Sequence, residues 1–159
     1  MRVRELTEEE RPRLTATLRE QWHGDVAVGR GRVHRMGDLP ALVAEGDDGS
    51  LIGVATYLLE GDLAELVSLN ALREGEGVGR RLVEAVADAA RAAGAARVRV
   101  MTTNDNVCAL RLYQKAGFRL AELRPGAVDE ARRTMKPSIP ESGIDGIPIR
   151  DEIDLVLDL

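Results

Sequence analysis

The strongest constraint on the fold of this chain is a glycine-rich turn between an apolar run and an amphipathic segment. The apolar run, Leu63 to Leu69, predicts a strand, and residues 77–93 repeat apolar side chains at helical spacing. Between them lie Gly75, Gly77 and Gly79. Glycines let a ligand approach the backbone closely, and the first amides of a helix have no internal acceptors. The turn therefore predicts a phosphate or pyrophosphate site, and a turn without a ligand is the alternative. Three arginines add positive charge beside it: Arg73, Arg80 and Arg81.

Two well-known nucleotide sites do not fit this turn. A Walker P-loop requires Gly-Lys-Ser/Thr, whereas Gly79 is followed by two arginines. A dinucleotide-binding fold places such a turn in the first of several parallel βαβ units. Here the turn follows two tight turns, at residues 46–50 and 61–62, which predict antiparallel hairpins.

The rest of the chain predicts a mixed α/β (α+β) domain in which most strands are antiparallel. Gly24 to Pro40 lacks clear periodicity, and we predict an irregular loop there, with room for one helical turn. The predicted strands are Val3 to Leu6, Ala41 to Glu45, Leu51 to Leu59, Leu63 to Leu69, Arg97 to Met101, Phe118 to Leu123 and Ile153 to Leu159. The predicted helices are Glu8 to Gln21, Gly77 to Ala93, Asn106 to Ala116 and Val128 to Met135.

Length and composition limit the class of protein. The 159 residues suit one domain, 1–159, and 44% hydrophobic residues suffice for a core. No apolar run approaches the roughly 20 residues that span a bilayer, and the N-terminus lacks the apolar core of a signal peptide. We therefore expect a soluble cytoplasmic protein. Cys108 is the single cysteine, so we expect no disulfide and no metal site. The net charge of −5 argues against general affinity for nucleic acid.

A second motif follows the glycine turn. Asn106, Ala109, Tyr113, Gly117 and Phe118 fit the pattern Asn-x-x-Ala-x-x-x-Tyr-x-x-x-Gly-Phe. With both motifs in this order, the sequence resembles the GNAT superfamily of acyl-CoA-dependent N-acyltransferases over residues 2–124. The resemblance implies the GNAT fold, a mixed and mostly antiparallel central sheet flanked by helices. Residues 125–159 are then a loop, a short helix and a final strand.

The resemblance also implies acetyl-CoA as co-substrate. The family's pyrophosphate motif, Gln/Arg-x-x-Gly-x-Gly/Ala, corresponds here to residues 74–79, with Glu74 in the place of Gln or Arg. Phosphate repels a carboxylate, so we expect main-chain amides, and not the Glu74 side chain, to provide most of the binding. The residues implied in CoA binding are Leu69, Glu74, Gly75, Glu76, Gly77, Val78, Gly79, Arg80, Asn106 and Tyr113.

The reaction implied by the resemblance is direct attack of a primary amine on the thioester of acetyl-CoA. Glu65 is the candidate base, acting through water, and a solvated strand glutamate is the alternative. Tyr113 is the candidate acid for the leaving thiolate, and a core aromatic is the alternative. A main-chain amide near Leu69 and Asn70 is the expected oxyanion donor. Asn106 caps its helix, bonds the pantetheine arm, or does both.

The acceptor is the least determined part of the prediction. By the resemblance, four residues between the first helix and the first hairpin border the acceptor: Trp22, Arg30, Arg32 and His34. We expect a small-molecule or peptide amine as partner, no nucleic acid and no membrane, and a homodimer stays open. The competing hypothesis is a non-catalytic module that keeps the fold and binds acyl-CoA for regulation.

Overall fold

Nine strands, four α-helices and three single turns of 3-10 helix are present in the described part of the chain, which is residues 1–21, 24–73 and 75–159 of the computed structural model. The strands are β1 (Arg2–Glu5), β2 (Val26–Gly29), β3 (Arg32–Arg35), β4 (Ala41–Glu45), β5 (Leu51–Glu60), β6 (Leu63–Ala71), β7 (Arg97–Thr103), β8 (Arg119–Arg124) and β9 (Glu152–Asp158). The helices are α1 (Arg11–Gln21), α2 (Val78–Ala92), α3 (Val107–Lys115) and α4 (Ala127–Thr134). Every predicted helix and strand is present, with its ends shifted by a few residues.

Seven strands form one sheet in the order β1-β4-β5-β6-β7-β9-β8. All neighbours in this described sheet are antiparallel except β6 and β7, which are parallel. The predicted mixed and mostly antiparallel sheet is therefore confirmed. Among the described helices, none is long and apolar enough to cross a membrane.

The parallel pair separates halfway along β6. The register of β6 with β7 ends at Leu66 and Val100, although both strands continue beyond it. On its other side, β6 pairs Leu66 with Tyr57 and then Ser68 with Thr56, so Val67 is the extra residue of a bulge. A bulge bends its strand and increases its twist, which directs β6 away from β7. The result is a gap between the carboxyl ends of the two strands.

Apolar cores lie on both faces of the sheet. The face that carries α2 and α3, here called the α2 face, is packed with aliphatic side chains because the helices present one apolar stripe to it. The opposite face carries α1 and the hairpin of β2 and β3, and is here called the hairpin face. Fully buried members on the α2 face include Ile52, Leu66, Leu82, Val86, Val98 and Leu155, and those on the hairpin face include Leu14, Leu18, Met36, Val43 and Val54.

The irregular loop predicted at Gly24 to Pro40 is wrong, because most of this stretch folds as the β2–β3 hairpin. The helical turn that the prediction allowed is present as one turn of 3-10 helix at Met36–Asp38. The two strands are joined by Arg30 and Gly31, whose φ angles of 54° and 72° suit a two-residue type I′ turn. Each strand has four residues, too few for alternation to stand out in the sequence. The only local sign of the hairpin was its two-residue turn, which contains a glycine.

Candidate active site

A cavity of about 240 Å³ occupies the gap between β6 and β7. Its walls come from the separated ends of the two strands, the start of α2 and one side of α3. The lining residues are Val67, Ser68, Leu69, Ala71, Gly79, Val100, Met101, Thr102, Asn106, Cys108, Ala109, Leu112 and Tyr113. Four predicted site residues are thus brought together here: Leu69, Gly79, Asn106 and Tyr113.

Tyr113 is both a core residue and a lining residue of the cavity. Its side chain is buried, and its ring centroid lies 5.6 Å from that of Phe118. Burial raises the pKa of the Tyr113 phenol well above its ordinary value. The phenol therefore stays protonated through the physiological range, as a proton donor must.

Asn106 caps α3, as one of the two sequence alternatives predicts. Its side-chain oxygen accepts a hydrogen bond of 3.0 Å from the amide of Ala109. Because Asn106 also lines the cavity, its capping role and a contact with a ligand are compatible. Whether it contacts the pantetheine arm stays a prediction.

The glycine turn leaves its backbone open. Gly75 and Gly77 have φ angles of 76° and 75°, and beyond their chain neighbours no heavy atom of the described residues lies within 4 Å of where a Cβ would stand on either residue. The first hydrogen bond of α2 runs from the Arg81 amide to the Gly77 carbonyl, so the amides before it lack a helical acceptor. Gly79 differs because the space beside it is filled: a Cβ there would stand 3.2 Å from the Leu112 side chain. The Val78 side chain is buried in the core, so only its main chain can serve a ligand.

The arginines near the turn bond to neighbouring protein groups. Arg73 donates to the Ser50 hydroxyl at 2.8 Å, and Arg80 donates to Glu84 at 2.9 Å. Arg81 reaches the same carboxylate at 3.3 Å. The Arg80 bond lowers the pKa of Glu84. These side chains are exposed, so they can exchange such partners for a bound anion at little cost. Glu76 is exposed, and Glu74 lies outside the described residues.

Glu65 is buried just below the cavity and does not line it. It sits one residue before the last register pair of β6 and β7. Its carboxylate accepts a hydrogen bond of 2.7 Å from Arg99 on β7, and Arg99 keeps a buried Nε without a partner among the described residues. The catalytic role of Glu65 stays a prediction, and the solvated glutamate that was its alternative does not describe a buried ion pair.

The predicted acceptor residues occupy the β2–β3 hairpin, apart from Trp22, which lies outside the described residues. Arg30 at the hairpin tip forms ion pairs with Asp154 and Glu122, and Arg32 makes two hydrogen bonds with Glu60, of 2.7 and 3.0 Å. His34 has a buried Nε2 that no described group contacts by hydrogen bond.

The hairpin is held directly on the sheet. A Cβ at Gly29 would meet the terminal methyl group of Met101, which shows how closely the hairpin backbone approaches the sheet. Buried Glu152 and Asp154 on β9 accept hydrogen bonds from Arg124 at 2.9 and 2.8 Å, and Glu152 also accepts one from the Arg30 amide. Lys136 donates to the Val26 carbonyl at 2.8 Å. Sequence reasoning missed this set because its members are far apart in the chain.

Sequence reasoning also missed the polar group at the bulge. Ser68 lines the cavity, and its hydroxyl forms a buried hydrogen bond of 2.6 Å with the hydroxyl of Thr56. Thr102 lines the cavity from β7. A serine within an apolar strand directly before a glycine turn was the available signal for Ser68, whereas nothing in the sequence marked Thr102.

Solved structures with this arrangement define the class of fold. The structure of the IAA acetyltransferase from Bacillus cereus ATCC 14579 is 23% identical and aligns over 99% of each chain with a TM-score of 0.76. A Bacillus subtilis acetyltransferase in complex with CoA is 22% identical and aligns over 99% of this chain and 98% of its own, with a TM-score of 0.70. At this identity the likeness concerns the fold, which is that of GNAT acetyltransferases.

Sequence similarity shows the family itself. The acetyltransferase (GNAT) family matches residues 3–118, and this chain belongs to that family. The uncharacterized protein YdhI of Bacillus subtilis (strain 168) is 40% identical over 141 residues, which are 88% of this chain and 87% of YdhI.

Proposed function

We propose that this protein transfers an acetyl group from acetyl-CoA to a primary amine by direct attack of the amine on the thioester. The observation that carries the proposal is the cavity between the separated strands β6 and β7, which buried Tyr113 lines. Membership of an acetyltransferase family supports the acetyl group, and the CoA complex of the Bacillus subtilis neighbour supports the donor.

Main-chain groups hold the donor in this proposal. The pyrophosphate of acetyl-CoA would accept hydrogen bonds from the amides of the glycine turn and the first turn of α2, where the helix dipole favours negative charge. Space around Gly75 and Gly77 allows that approach. The pantetheine arm would enter the cavity, placing the thioester near the edge of β6 that no longer pairs with β7. Main-chain groups near Leu69 are then the candidates for stabilising the oxyanion.

The acceptor must lose a proton before it attacks, because an alkyl ammonium has a pKa near 10.4. We assign this task to Glu65. Val67 on the cavity wall is two positions further along β6, a distance of about 7 Å. That span requires water between the carboxylate and the amine. The ion pair with Arg99 would hold the carboxylate in one orientation.

The leaving thiolate is a fairly good leaving group, with a pKa of about 8.5 by analogy with cysteine. Tyr113 is the assigned proton donor, because it lines the cavity and its phenol stays protonated. Proton donation contributes typically 10²–10⁴-fold to a rate, and a good leaving group places Tyr113 at the lower end of about 10².

The test is release of free CoA thiol from acetyl-CoA in the presence of a panel of primary amines. We expect turnover with at least one amine, and a fall in kcat of about 100-fold for Tyr113→Phe. Tyr57→Phe is the matched control, because Tyr57 is the other buried tyrosine and does not line the cavity. Glu65→Gln should lower kcat/KM at neutral pH. The value of kcat/KM should recover as the pH approaches the pKa of the amine, because the amine is then already deprotonated. CoA binding without turnover for any amine would favour the non-catalytic module.

A further inference from the structure

The two edges of the seven-stranded sheet differ in how they meet solvent. At one edge, β1 has four residues, and its Arg4 bonds to Glu10 and Glu45. At the other edge, all but the last of the six residues of β8 are exposed, and Leu120 and Leu123 are 60% and 59% exposed. Short, charged edges resist pairing with another chain, whereas a longer edge with exposed leucines invites it. The exposed leucines on the β8 edge therefore suit pairing with another chain, and the β1 edge does not.

Both leucines of β8 lie on the same side of the sheet. Leu120 is opposite Leu155 and Leu123 is opposite Ile153, both of which belong to the core on the α2 face. A spacing of three would place them on opposite faces of a regular strand, but the register of β8 shifts between Leu120 and Glu122. The bulge at Ala121 thus brings two exposed leucines together beside α3.

Helix α3 extends this apolar surface. The flank of α3 that contains Cys108 and Leu112 lines the cavity. Val107 begins α3 and does not line the cavity, and α3 packs against β8. Val107 is 45% exposed. We call Val107, Leu120 and Leu123 the β8 patch. A patch on a free strand edge offers both main-chain groups and apolar side chains to a partner.

We propose that a second copy of this chain covers the β8 patch, by antiparallel pairing of the two β8 strands about a two-fold axis. The sequence of β8 is self-complementary in one register, in which Leu120 of each copy is opposite Leu123 of the other. In that register all four leucines lie on the α2 face and form one cluster between the two α3 helices.

The charges of β8 favour the same register. Arg119, Glu122 and Arg124 lie on the hairpin face, because their partners on β9 are Val156, Asp154 and Glu152. In the leucine-matched register Arg119 is diagonal to Glu122 of the second copy, a spacing at which opposite charges attract. Arg119 and Arg124 are opposite each other, but Arg124 is already paired with Asp154 and Glu152. The β1 edge is left charged, so pairing closes at a dimer and does not extend into a fibre.

The oligomeric state tests the proposal. Sedimentation velocity over about a 100-fold range of concentration should show a dimer that dissociates on dilution. The double substitution Leu120→Glu with Leu123→Glu should give a monomer at every concentration. Val33→Glu is the matched control, because Val33 is 52% exposed on a strand outside the patch, and it should leave the dimer intact. A wild-type monomer at every concentration, or a dimer that survives the double substitution, would overturn the proposal.

The register is tested by disulfide formation between chains. In a Cys108→Ser background, Leu120→Cys protein is mixed with Leu123→Cys protein and mildly oxidised. Opposite residues of an antiparallel pair have Cα atoms about 4.5–5.5 Å apart, within disulfide range. The mixture should therefore give a linked dimer. Each variant alone should not, because its two cysteines are offset by three residues, about 10 Å. Linkage in either variant alone, or none in a dimeric mixture, would overturn this register.

Discussion

Both faces of the sheet have apolar cores, but the parts of the proposed site on the α2 face and on the hairpin face are held by different kinds of interaction. On the α2 face, aliphatic side chains pack under α2 and α3, and the site offers backbone amides at a glycine turn. On the hairpin face, ion pairs tie the tip of the β2–β3 hairpin to β8 and β9, through buried Glu152 and Asp154. A site made of backbone groups tolerates changes in side chains, whereas a site held by ion pairs depends on each partner.

The difference has a consequence for function. Binding of CoA needs the same backbone geometry whichever amine is acetylated, so the α2 face is the constant part of the proposed enzyme. The hairpin carries Arg32 and His34 and rests on Met101, which also lines the cavity. We therefore expect changes to the hairpin to alter stability and acceptor preference while leaving the affinity for CoA unchanged.

The largest expected effect comes from removing the buried carboxylate that holds the hairpin. Asp154 has a side chain only 3% exposed, and it pairs with both Arg30 and Arg124. Removing one partner of a buried pair leaves charges uncompensated, so Asp154→Ala should lower the free energy of unfolding by about 3 kcal/mol. Urea unfolding measures the loss. Isothermal titration should find the affinity for CoA unchanged.

Glu122→Ala is the matched control for this experiment. Glu122 bonds to the same two arginines, Arg30 and Arg124, but its side chain is 53% exposed. Solvent screens such a pair, so this substitution should change stability little. Equal losses in the two variants would show that burial of the carboxylate is not what holds the hairpin.

The contrast between the faces also explains what the sequence could predict. The glycine turn and the Asn106-to-Phe118 motif are local patterns, so the sequence alone places each on its element, and the cavity contains both Asn106 and Tyr113. Arg30 and Asp154 are 124 residues apart, and no local pattern links them. The same applies to Arg99, which reaches Glu65 only because β6 and β7 pair in one particular register. Long-range partners require the fold.

The next largest effect concerns the affinity for CoA at the glycine turn on the α2 face. Gly77 has a left-handed backbone with open space around it, so Gly77→Ala adds strain and a methyl group where the pyrophosphate would approach. We expect the affinity for CoA to fall about tenfold, or 1.4 kcal/mol, by isothermal titration. Gly94→Ala is the control, because Gly94 follows the other end of α2 with a φ angle of 84° and equal space. It carries the same strain, so an equal loss of affinity there would contradict the pyrophosphate assignment.

The smallest expected effects are in the pH dependence of stability. One buried group on each face contributes, and the two change stability in opposite directions as the pH rises. Burial raises the pKa of Tyr113 on the α2 face above about 10, its value in an unfolded chain. Above that pH the native state binds more protons than the unfolded state, so Tyr113 lowers stability as the pH rises. Burial lowers the pKa of Lys136, which supports the hairpin. Below about 10.4 the unfolded state binds more protons, so Lys136 raises stability as the pH increases toward that value.

Urea unfolding midpoints between neutral and alkaline pH separate the two contributions. Tyr113→Phe should remove part of the decline in stability at the alkaline end, and Lys136→Met should remove part of the rise that precedes it. Lys115→Met, at an exposed lysine that ends α3, is the control and should leave the profile parallel to that of the wild type. If Lys136→Met and Lys115→Met have the same profile, the lysine under the hairpin is as well solvated as a surface lysine. The hairpin would then rest on its ion pairs with β8 and β9 and on the apolar packing of Ala27.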